Sequence, residues 1–379
     1  MGKKKRGNGE GWIRQRSDGR WNVGISFWTT EGIRRRETTK KTHGEALKWL
    51  DGIKREIFGG PVISSENPRL GEYLESWLEE SVRGDVSTRT YRFYRSSVTA
   101  HIAPALGHVK LRSLDARRIQ SFYGAKLKQG LAQKTRRDIH TTLRKALKQA
   151  AAWGMLQSNP TESVRVPRGA GKIRTITPFS LADLDAIKAA AEGKRIPAIY
   201  PFAAATGLRP QEVCALTWED LTLPERGPGR VNVDKAVKEG ENGYYIGPPK
   251  NDHSYRSVDF SEGMVALLRR HRSALNEERL AARVWREGGY VFPHSRGGFM
   301  DRHTLSRLFA PVRAAAGLEG HSFRDFRHTF ATLLFQRGKH PKEVQHLLGH
   351  SSIKITMDTY SHYIPSEHQG AADALGDIF

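Results

Sequence analysis

The chain has 379 residues, enough for two to three domains, and carries 62 lysines and arginines against 40 aspartates and glutamates, a formal net charge of +22. This surplus favours a polyanionic partner, with nucleic acid far ahead of a membrane surface. The single cysteine, Cys214, excludes an internal disulfide and a thiolate metal site, and without a membrane-spanning apolar run or a secretory signal we expect a cytoplasmic protein.

The first 60 residues predict a small basic sheet followed by one helix. Residues 12–14, 20–28 and 33–38 have the pattern of strands, and Asp18-Gly19 marks a hairpin turn between the first two. Thr42 and Glu45 are spaced as a capping box for the helix. Its apolar face consists of Ala46, Leu50, Ile53 and Ile57.

The third strand of this sheet is strongly basic. It contains three successive arginines, Arg34, Arg35 and Arg36. Small sheets can lay a strand in the major groove of DNA, so we expect these three side chains to contact DNA.

Residues 68–165 predict a bundle of four helices after a linker at 59–69. An apolar stripe begins the first helix at Leu70, the second helix covers residues 88–103 and ends before Pro104, and Asp115 caps the third. The fourth helix covers residues 133–152. Basic side chains decorate the second and fourth helices, and those that we expect to contact DNA are Arg92, Arg136, Arg137 and Arg144.

The remaining residues, 175–379, predict a third domain that mixes helices and strands. Early in it, the run Thr-Gly-Leu-Arg-Pro-Gln-Glu occupies residues 206–212. Gly207 allows a tight turn and Pro210 suits the first position of a helix. Arg209 then lies beside a helix N-terminus, which is itself a site for anions, and Glu212 can orient its guanidinium from one turn further on.

Residues 244–260 have the pattern of a β-hairpin with an Asn-Asp turn. Lys250 stands beside this turn as a candidate for chemistry. Lys238 and Arg256 are weaker alternatives to it.

The stretch at 323–363 concentrates the residue types that act on phosphate. Arg324 and Arg327 are three apart on a predicted helix, so they share one face. A second short helix ends at Gly349, His350 follows directly, and Tyr360 comes ten residues later. Arginine binds phosphate oxygens with a planar fork of donors, and a tyrosine hydroxyl can act as a nucleophile. The cluster suits chemistry on a phosphodiester.

A metal site is a poor alternative for the same histidines. His346 and His350 are four apart, as in zinc-binding helices, but Leu347 stands where such a helix carries glutamate. Gly349 also interrupts the helix between them. We therefore predict no metal and no cofactor.

These residues resemble the signature of the tyrosine recombinases, the phage integrase family. Arg327-His328-Thr329, Leu348-Gly349-His350 and Tyr360 match its C-terminal pattern, and residues 206–212 match the motif at its first catalytic arginine. The basic sheet resembles the family's arm-type DNA-binding domain, and the helical bundle resembles its core-binding domain. The resemblance implies a multidomain, mainly α fold with domains at 1–60, 68–165 and 175–379, the last a mixed α+β catalytic domain.

The resemblance also implies a reaction and a role for each residue. Tyr360 attacks the scissile phosphate to form a 3′-phosphotyrosine, and two rounds of strand exchange pass through a Holliday junction without ATP. Arg209 and Arg327 clamp the nonbridging oxygens, His350 donates a hydrogen bond to one of them, and Lys250 protonates the leaving 5′-oxygen.

One position departs from the family pattern, since Arg324 stands where the family has histidine. His321 could imitate the motif in a shifted register, but that register lengthens the interval to His350 by one helical turn. Arginine is a very poor proton acceptor, so the base for Tyr360 is left open between water, His321 and His328. We expect Arg324 to be a working site residue that favours the phenolate through its charge.

The implied partners are double-stranded DNA with core-type and arm-type sites and further copies of the chain. The tail after Tyr360 would couple protomers in a homotetramer on DNA, and an accessory DNA-bending or directionality factor fits the arm domain. The alternatives are a resolvase or conjugative-element transposase with the same chemistry, and a catalytically decayed DNA-binding protein. The basic N-terminal domain argues against a simple resolvase, and only Arg324 favours decay.

Overall fold

The computed structural model describes residues 11–29, 32–57, 67–168, 177–249 and 251–363. The chain divides into two compact units, Met1–Lys172 and Ile173–Phe379. The predicted fold class is confirmed, because the described chain is mainly helical with a small N-terminal sheet and a C-terminal unit that mixes helices with small sheets. The three domain boundaries given above stay predictions.

The N-terminal sheet has three antiparallel strands in chain order: β1 (Trp12–Gln15), β2 (Trp21–Thr29) and β3 (Gly32–Lys40). Its first turn closes as predicted, with Gly19 at a φ of 78° and its N–H donating to the Arg16 carbonyl at 3.1 Å. Helix α1 (His43–Ile57) follows.

Helix α1 covers the sheet with Ala46, Leu50 and Ile53 of the predicted apolar face, and the side chain of Ile57 lies outside the described part of the chain. Ala46 and Leu50 are buried and belong to one cluster with Val23 and Ile25 of β2. The capping box at its start is only half formed: the Glu45 N–H donates to the Thr42 hydroxyl, but the Glu45 carboxylate accepts from the Lys41 N–H.

The rest of the first unit is a helical bundle. It contains α2 (Leu70–Ser76) with a π-helical continuation (Trp77–Val82), α3 (Thr88–Ser97) with another (Val98–Ile102), α4 (Ala103–Leu106), α5 (Ala116–Lys128) and α6 (Gln133–Ala152). Their apolar faces form one buried core, in which Leu74, Trp77, Ile102 and Leu143 are each at most 1% exposed.

The prediction that the second helix ends before Pro104 is wrong. The helix continues through a π-helical stretch into α4, and Pro104 lies in the first turn of α4. A proline inside a continuous helix removes one backbone hydrogen bond, and the π-helical stretch Val98–Ile102 lies directly before α4.

Arg136 is buried, although we predicted that it lies on the solvated face of α6. The residue is only 2% exposed. Its Nη2 donates to the Pro167 carbonyl at 3.1 Å, and its Nη1 donates to the Leu131 carbonyl. A guanidinium enclosed among backbone carbonyls cannot offer its donors to a phosphate, so the expectation that Arg136 contacts DNA is wrong. Arg137 and Arg144 of the same helix are exposed.

The second unit contains eight helices and five short strands among its described residues. The helices are α7 (Leu181–Ala191), α8 (Ile199–Thr206), α9 (Pro210–Ala215), α10 (Glu262–Ala281), α11 (Arg302–Ala315), α12 (Asp325–Gln336), α13 (Pro341–Leu348) and α14 (Ile353–Tyr360), and a 3₁₀ turn follows at Ser361–Tyr363. The strands are β4 (Leu221–Thr222), β5 (Gly229–Val233), β6 (Ala236–Gly240), β7 (Gly243–Gly247) and β8 (Arg256–Phe260).

The predicted hairpin at 244–260 is wrong, because its two strands belong to different sheets. Strand β7 pairs with β6 across a tight turn that ends in Asn242-Gly243, with Gly243 at a φ of 123°. Strand β8 instead pairs antiparallel with β5. Both β5 and β8 alternate buried and exposed residues, so their pairing buries Val231 and Val258 on one face.

Helix α12 runs through the core of this unit. Residues 325–332 are all buried. The Phe326 ring packs against Phe309 and Phe323, with centroids 5.5 Å and 5.1 Å away. A buried phenylalanine contributes about 1.5–3 kcal/mol through burial alone. The packing therefore fixes the helix that carries Arg327 and His328.

No helix of the described chain is both long and apolar enough to span a membrane. Among the residues that the structure places, no three His, Cys, Asp or Glu side chains are grouped as metal ligands.

Candidate active site

The turn between α8 and α9 sets the position of Arg209. Gly207 ends α8 in the left-handed region, at a φ of 61°. A Cβ at this position would collide with the ring of Phe330, so the turn needs glycine for both conformation and space. Arg209 is the N-cap of α9 and Pro210 takes the first helical position, as the sequence predicts.

The guanidinium of Arg209 is held by three groups. Its Nη1 donates to Glu212 Oε1 at 2.7 Å and to Ser254 Oγ at 3.3 Å, and its Nη2 donates to the Gly349 carbonyl at 2.7 Å. The side chain is 32% exposed. Arg209 is therefore fixed in direction while it keeps access to a ligand.

A second arginine, Arg256, binds the same carboxylate, that of Glu212. Its side chain is fully buried, and its Nη2 donates to Glu212 Oε2 at 2.7 Å. It also donates from Nε to the Leu347 carbonyl at 2.7 Å and from Nη1 to the Ser254 carbonyl at 3.0 Å. The sequence presented Arg256 only as an alternative to Lys250. Its contacts show that it holds Glu212 and the end of α13.

Glu212 is ionised in this setting. Burial alone would raise the pKa of its carboxyl, but Arg256, followed by Arg209 and Arg327, outweighs burial and lowers the pKa to about 2. One carboxylate thus connects two of the three arginines by direct ion pairs.

Arg327 reaches the same place from α12. It is 3% exposed. Its Nη1 donates to the Gly207 carbonyl at 2.9 Å and its Nη2 donates to the Leu348 carbonyl. Burial, together with the charge of Arg209, lowers the pKa of Arg327 to about 9 against the opposing effect of Glu212. The guanidinium is still a cation at neutral pH.

His350 follows the left-handed Gly349 that ends α13. Its Nδ1 lies 2.9 Å from the Thr356 hydroxyl. Burial and the neighbouring arginines, with Arg327 and Arg209 acting most strongly, lower the pKa of His350 to about 3. The imidazole is therefore neutral near pH 7, and it offers a hydrogen bond from whichever nitrogen carries the proton.

Tyr360 is the last residue of α14 and is 1% exposed. Its hydroxyl lies 2.6 Å from Nδ1 of His328. Burial raises the pKa of Tyr360 to about 12, although the charges of Arg327 and Arg324 act in the opposite direction. The structure thus brings Arg209, Arg327, His350 and Tyr360 into one electrostatically coupled site.

Arg324 is the exposed N-cap of α12. Its charge acts to lower the pKa values of both His350 and Tyr360. His321 is directed elsewhere: its ring stacks on Phe179 at 4.7 Å, and its Nδ1 lies 3.7 Å from the Asp325 carboxylate.

Three predicted features lie wholly or largely outside the described residues: Lys250, the tail beyond residue 363, and the linker at 59–69, of which only residues 67–69 are described. The remaining candidates for DNA contact are exposed in the structure. They are Arg34, Arg35 and Arg36 on β3, Arg92 on α3, and Arg137 and Arg144 on α6.

Sequence reasoning named Arg256 only as an alternative to Lys250 and His328 only as one candidate base, and it did not predict the contacts that either residue makes in the site. Arg256 and Glu212 meet across 44 residues, and His328 and Tyr360 meet across 32 residues. Neither pair shares a local period, so spacing could not reveal these contacts. A signal did exist for His328, because it lies within the Arg-His-Thr match.

Comparison with known sequences gives a family match over the part of the chain that contains these site residues. The model of the phage integrase family matches residues 179–367, and a model of the N-terminal SAM-like domain of phage integrases matches residues 69–127. A tyrosine recombinase XerC-like protein of Caldanaerobacter subterraneus subsp. tengcongensis is 30% identical over 90% of this chain and 90% of its own length. The ICEBs1 integrase of Bacillus subtilis is 25% identical over 97% of this chain and 99% of its own length.

Comparison with solved structures shows the same fold. The Tn1549 transposon integrase in complex with a circular intermediate DNA superposes with a TM-score of 0.68 at 18% identity, over 82% of this chain and all of the other. A lambda integrase tetramer bound to a Holliday junction gives a TM-score of 0.57 at 19% identity, over 94% of this chain and 95% of the other.

Proposed function

The chain belongs to the phage integrase family of tyrosine recombinases, and from this premise we propose that it integrates and excises a mobile element or phage genome by site-specific recombination. The observation that carries the proposal is the single site formed by Arg209, Arg327, His350 and Tyr360. Two cations held by carbonyls and by a buried carboxylate suit the charge that develops on a phosphodiester under attack.

In the proposed cleavage step, the hydroxyl oxygen of Tyr360 bonds to the scissile phosphorus and the bond to the 5′-oxygen breaks. The enzyme is then joined to DNA through a 3′-phosphotyrosine. Arg209 and Arg327 stabilise the nonbridging oxygens, and neutral His350 donates a hydrogen bond to one of them. The 5′-hydroxyl of a partner strand reverses the step, and two such exchanges pass through a Holliday junction.

We assign protonation of the leaving 5′-oxygen to Lys250. The support is its position in the sequence, in the segment between β7 and β8, where the resemblance to the family implies a catalytic lysine. Transfer of a proton from the lysine ammonium group neutralises the negative charge that develops on the leaving 5′-oxygen. Neither step needs a metal or a cofactor.

The DNA contacts are assigned by the position of exposed cations. Arg34, Arg35 and Arg36 would bind arm-type sites, and the exposed arginines of α3 and α6 would bind core-type DNA on both sides of the crossover. We propose that the reaction takes place in the cytoplasm of a bacterial cell, since the relatives named above come from bacteria.

Assembly is proposed on the same footing. The lambda integrase that shares this fold forms a tetramer on a Holliday junction. We propose that four copies of this chain assemble likewise, coupled by the tail that follows residue 363. An accessory DNA-bending or directionality factor would set the direction of recombination.

Transposition of a conjugative element is the second candidate, since a transposon integrase shares this fold. The two uses have the same chemistry and differ in the choice of DNA ends. A decayed enzyme is disfavoured because the buried network around Glu212 is intact and Tyr360 is present.

The test uses duplex DNA that carries the attachment site and a nick beside the cleavage position, so that a freed fragment diffuses away and the adduct accumulates. We expect a covalent adduct from the natural protein and from Tyr363→Phe, the matched control. Tyr360→Phe should bind the DNA with unchanged affinity and form no adduct. An adduct with Tyr360→Phe but none with Tyr363→Phe would overturn the assignment.

A further inference from the structure

We propose that His328 takes the proton from Tyr360 during strand cleavage and returns it during rejoining. The proposal rests on the assignment of Tyr360 as the nucleophile. His328 would then be the general base, a role that Arg324 cannot fill because arginine is a very poor proton acceptor.

The geometry places a ring nitrogen at the reacting hydroxyl, and this nitrogen accepts a proton from it in the tautomer that carries its hydrogen on Nε2. Nδ1 of His328 lies 2.6 Å from the Tyr360 hydroxyl, within the range of a short hydrogen bond. Both residues are buried, His328 at 8% exposure and Tyr360 at 1%. The imidazole projects from α12, whose residues 325–332 are all buried, so its position is fixed by the core.

The other charged groups around Tyr360 do not suit the task. Arg324 and Arg327 face it from α12 and its N-cap, and arginine stays protonated in proteins. Asp325 also lies on α12, but its carboxylate accepts the N–H of Ser322 at 2.7 Å.

Tyr363 acts on Tyr360 from the 3₁₀ turn, and a phenol accepts protons poorly. His350 is directed toward Thr356. Among these described neighbours, His328 is the group that combines contact with basicity.

The proton transfer balances within the proposed reaction. As the Tyr360 oxygen bonds to phosphorus, its proton passes to Nδ1 of neutral His328, whose own proton is on Nε2. The 5′-oxygen leaves with a proton from Lys250. In rejoining, the 5′-hydroxyl attacks phosphorus, the phenolate leaves, and the imidazolium of His328 returns the proton.

These separate roles explain how the site can work with arginine at position 324, where the family has histidine. Arg324 lowers the pKa of the Tyr360 hydroxyl by its charge, against the effect of burial, and His328 receives the proton. A cation at 324 therefore complements a base at 328.

The contact has a rival explanation that the experiment must separate. Because Tyr360 is 1% exposed, its hydroxyl must be uncovered before a phosphate reaches it. A bond to His328 that served only to keep Tyr360 covered would restrain cleavage, and its removal would speed the reaction.

The test is single-turnover cleavage of the nicked duplex across pH. The variants are His328→Asn, which keeps an acceptor near the place of Nδ1 without its basicity, and His328→Leu, which removes the acceptor. We expect both to slow cleavage by about 10²- to 10⁴-fold, the usual contribution of a general base, and to lose the acid limb of an imidazole. His321→Asn is the matched control and should keep the natural rate and profile.

A substrate with sulfur in place of the 5′-oxygen separates base from acid, because a thiolate leaves without a proton. It should restore cleavage by Lys250→Ala and leave His328→Asn slow. Cleavage by His328→Asn at the natural rate and pH profile, or faster cleavage by His328→Leu, would overturn the role of His328 and leave Tyr360 as the nucleophile. Failure of the natural protein to form any adduct would instead overturn the proposed function.

A second measurement keeps the inference testable if the substituted proteins do not fold. Fluorotyrosine at position 360 of the otherwise natural chain lowers the pKa of the phenol and leaves His328 in place. We expect the acid limb of the pH profile to stay where it is, because it reports the imidazole. A limb that moves down with the pKa of the phenol would contradict the proposal.

Discussion

Replacement of Glu212 by glutamine tests whether the buried ion-pair network holds the site together. The carboxylate is 3% exposed and joins Arg209 and Arg256, whose own side chain is fully buried. The folded protein lowers the pKa of Glu212 from 4.5 to about 2. At about 1.36 kcal/mol per pKa unit, that difference corresponds to about 3 kcal/mol of folding free energy at pH 7.

The sign follows from the lowered pKa. The contribution is complete above the unfolded value of 4.5 and is lost as the pH falls toward about 2. At pH 3 the unfolded carboxyl is already protonated and only about 1 kcal/mol is left. Glu212→Gln also leaves the buried cation of Arg256 without its partner, a loss of about 3–5 kcal/mol at pH 7.

Urea unfolding at pH 7 and pH 3 measures this effect. We expect the natural protein to exceed Glu212→Gln in stability by about 3–5 kcal/mol at pH 7, with the gap narrowing by about 2 kcal/mol at pH 3. The exposed ion pair between Arg230 and Asp259 is the control, and Asp259→Asn should change stability by at most about 1 kcal/mol. A pH-independent gap, or none at pH 7, would refute the reasoning.

The remaining predictions concern the surface and the altered motif. Arg324→Ala should slow cleavage by about 10²-fold without moving the acid limb of the pH profile, because it removes a charge and no base; a natural rate would make Arg324 a bystander. Arg137→Ala should lower the slope of log affinity for DNA against log salt concentration by about 0.9. Arg136→Met should keep that slope and reduce the free energy of unfolding by about 2 kcal/mol. Equal slopes for the two variants would contradict the assignment of Arg137 to DNA and Arg136 to the core. A fragment from residue 68 onward should cleave core-site DNA and fail at recombination that needs flanking arm sites, and full recombination by that fragment would exclude an arm-binding role for residues 1–60.

The parts of the fold that local chemistry specifies were predictable from the sequence. Helix α6 has the predicted bounds, because an apolar period of 3.6 runs its whole length. Asp115 caps α5 as predicted, through the N–H of Arg118 at 2.7 Å. Such signals act within one turn and need no knowledge of the tertiary fold.

The wrong predictions concern features that depend on contacts between segments far apart in the sequence. Strand β8 pairs with β5 across some two dozen residues, and that choice depends on which face each strand buries. The loop of the real hairpin is Glu241-Asn242, followed by Gly243 at a positive φ, whereas the sequence pattern predicts the turn at the later Asn251-Asp252. Arg136 has the spacing of a surface cation, and only the carbonyls that surround it show that it is buried.

The candidate site also contains residues that the sequence predicted and contacts that it did not predict. The motifs supplied Arg209, Arg327, His350 and Tyr360 because each stands in a recognisable local run. The network that orients them, through Arg256 and His328, depends on contacts between helices and strands far apart in the chain.

The most direct test of the account is to locate the bond between protein and DNA. The adduct formed on the nicked duplex is digested with nuclease and trypsin, and fragmentation mass spectrometry identifies the modified residue in the peptide that starts after Lys354. If Tyr360 is the nucleophile, the peptide carries a single nucleotide joined through its 3′-phosphate to the oxygen of Tyr360. A nucleotide on Tyr363, on a serine, or joined through a 5′-phosphate would contradict the account.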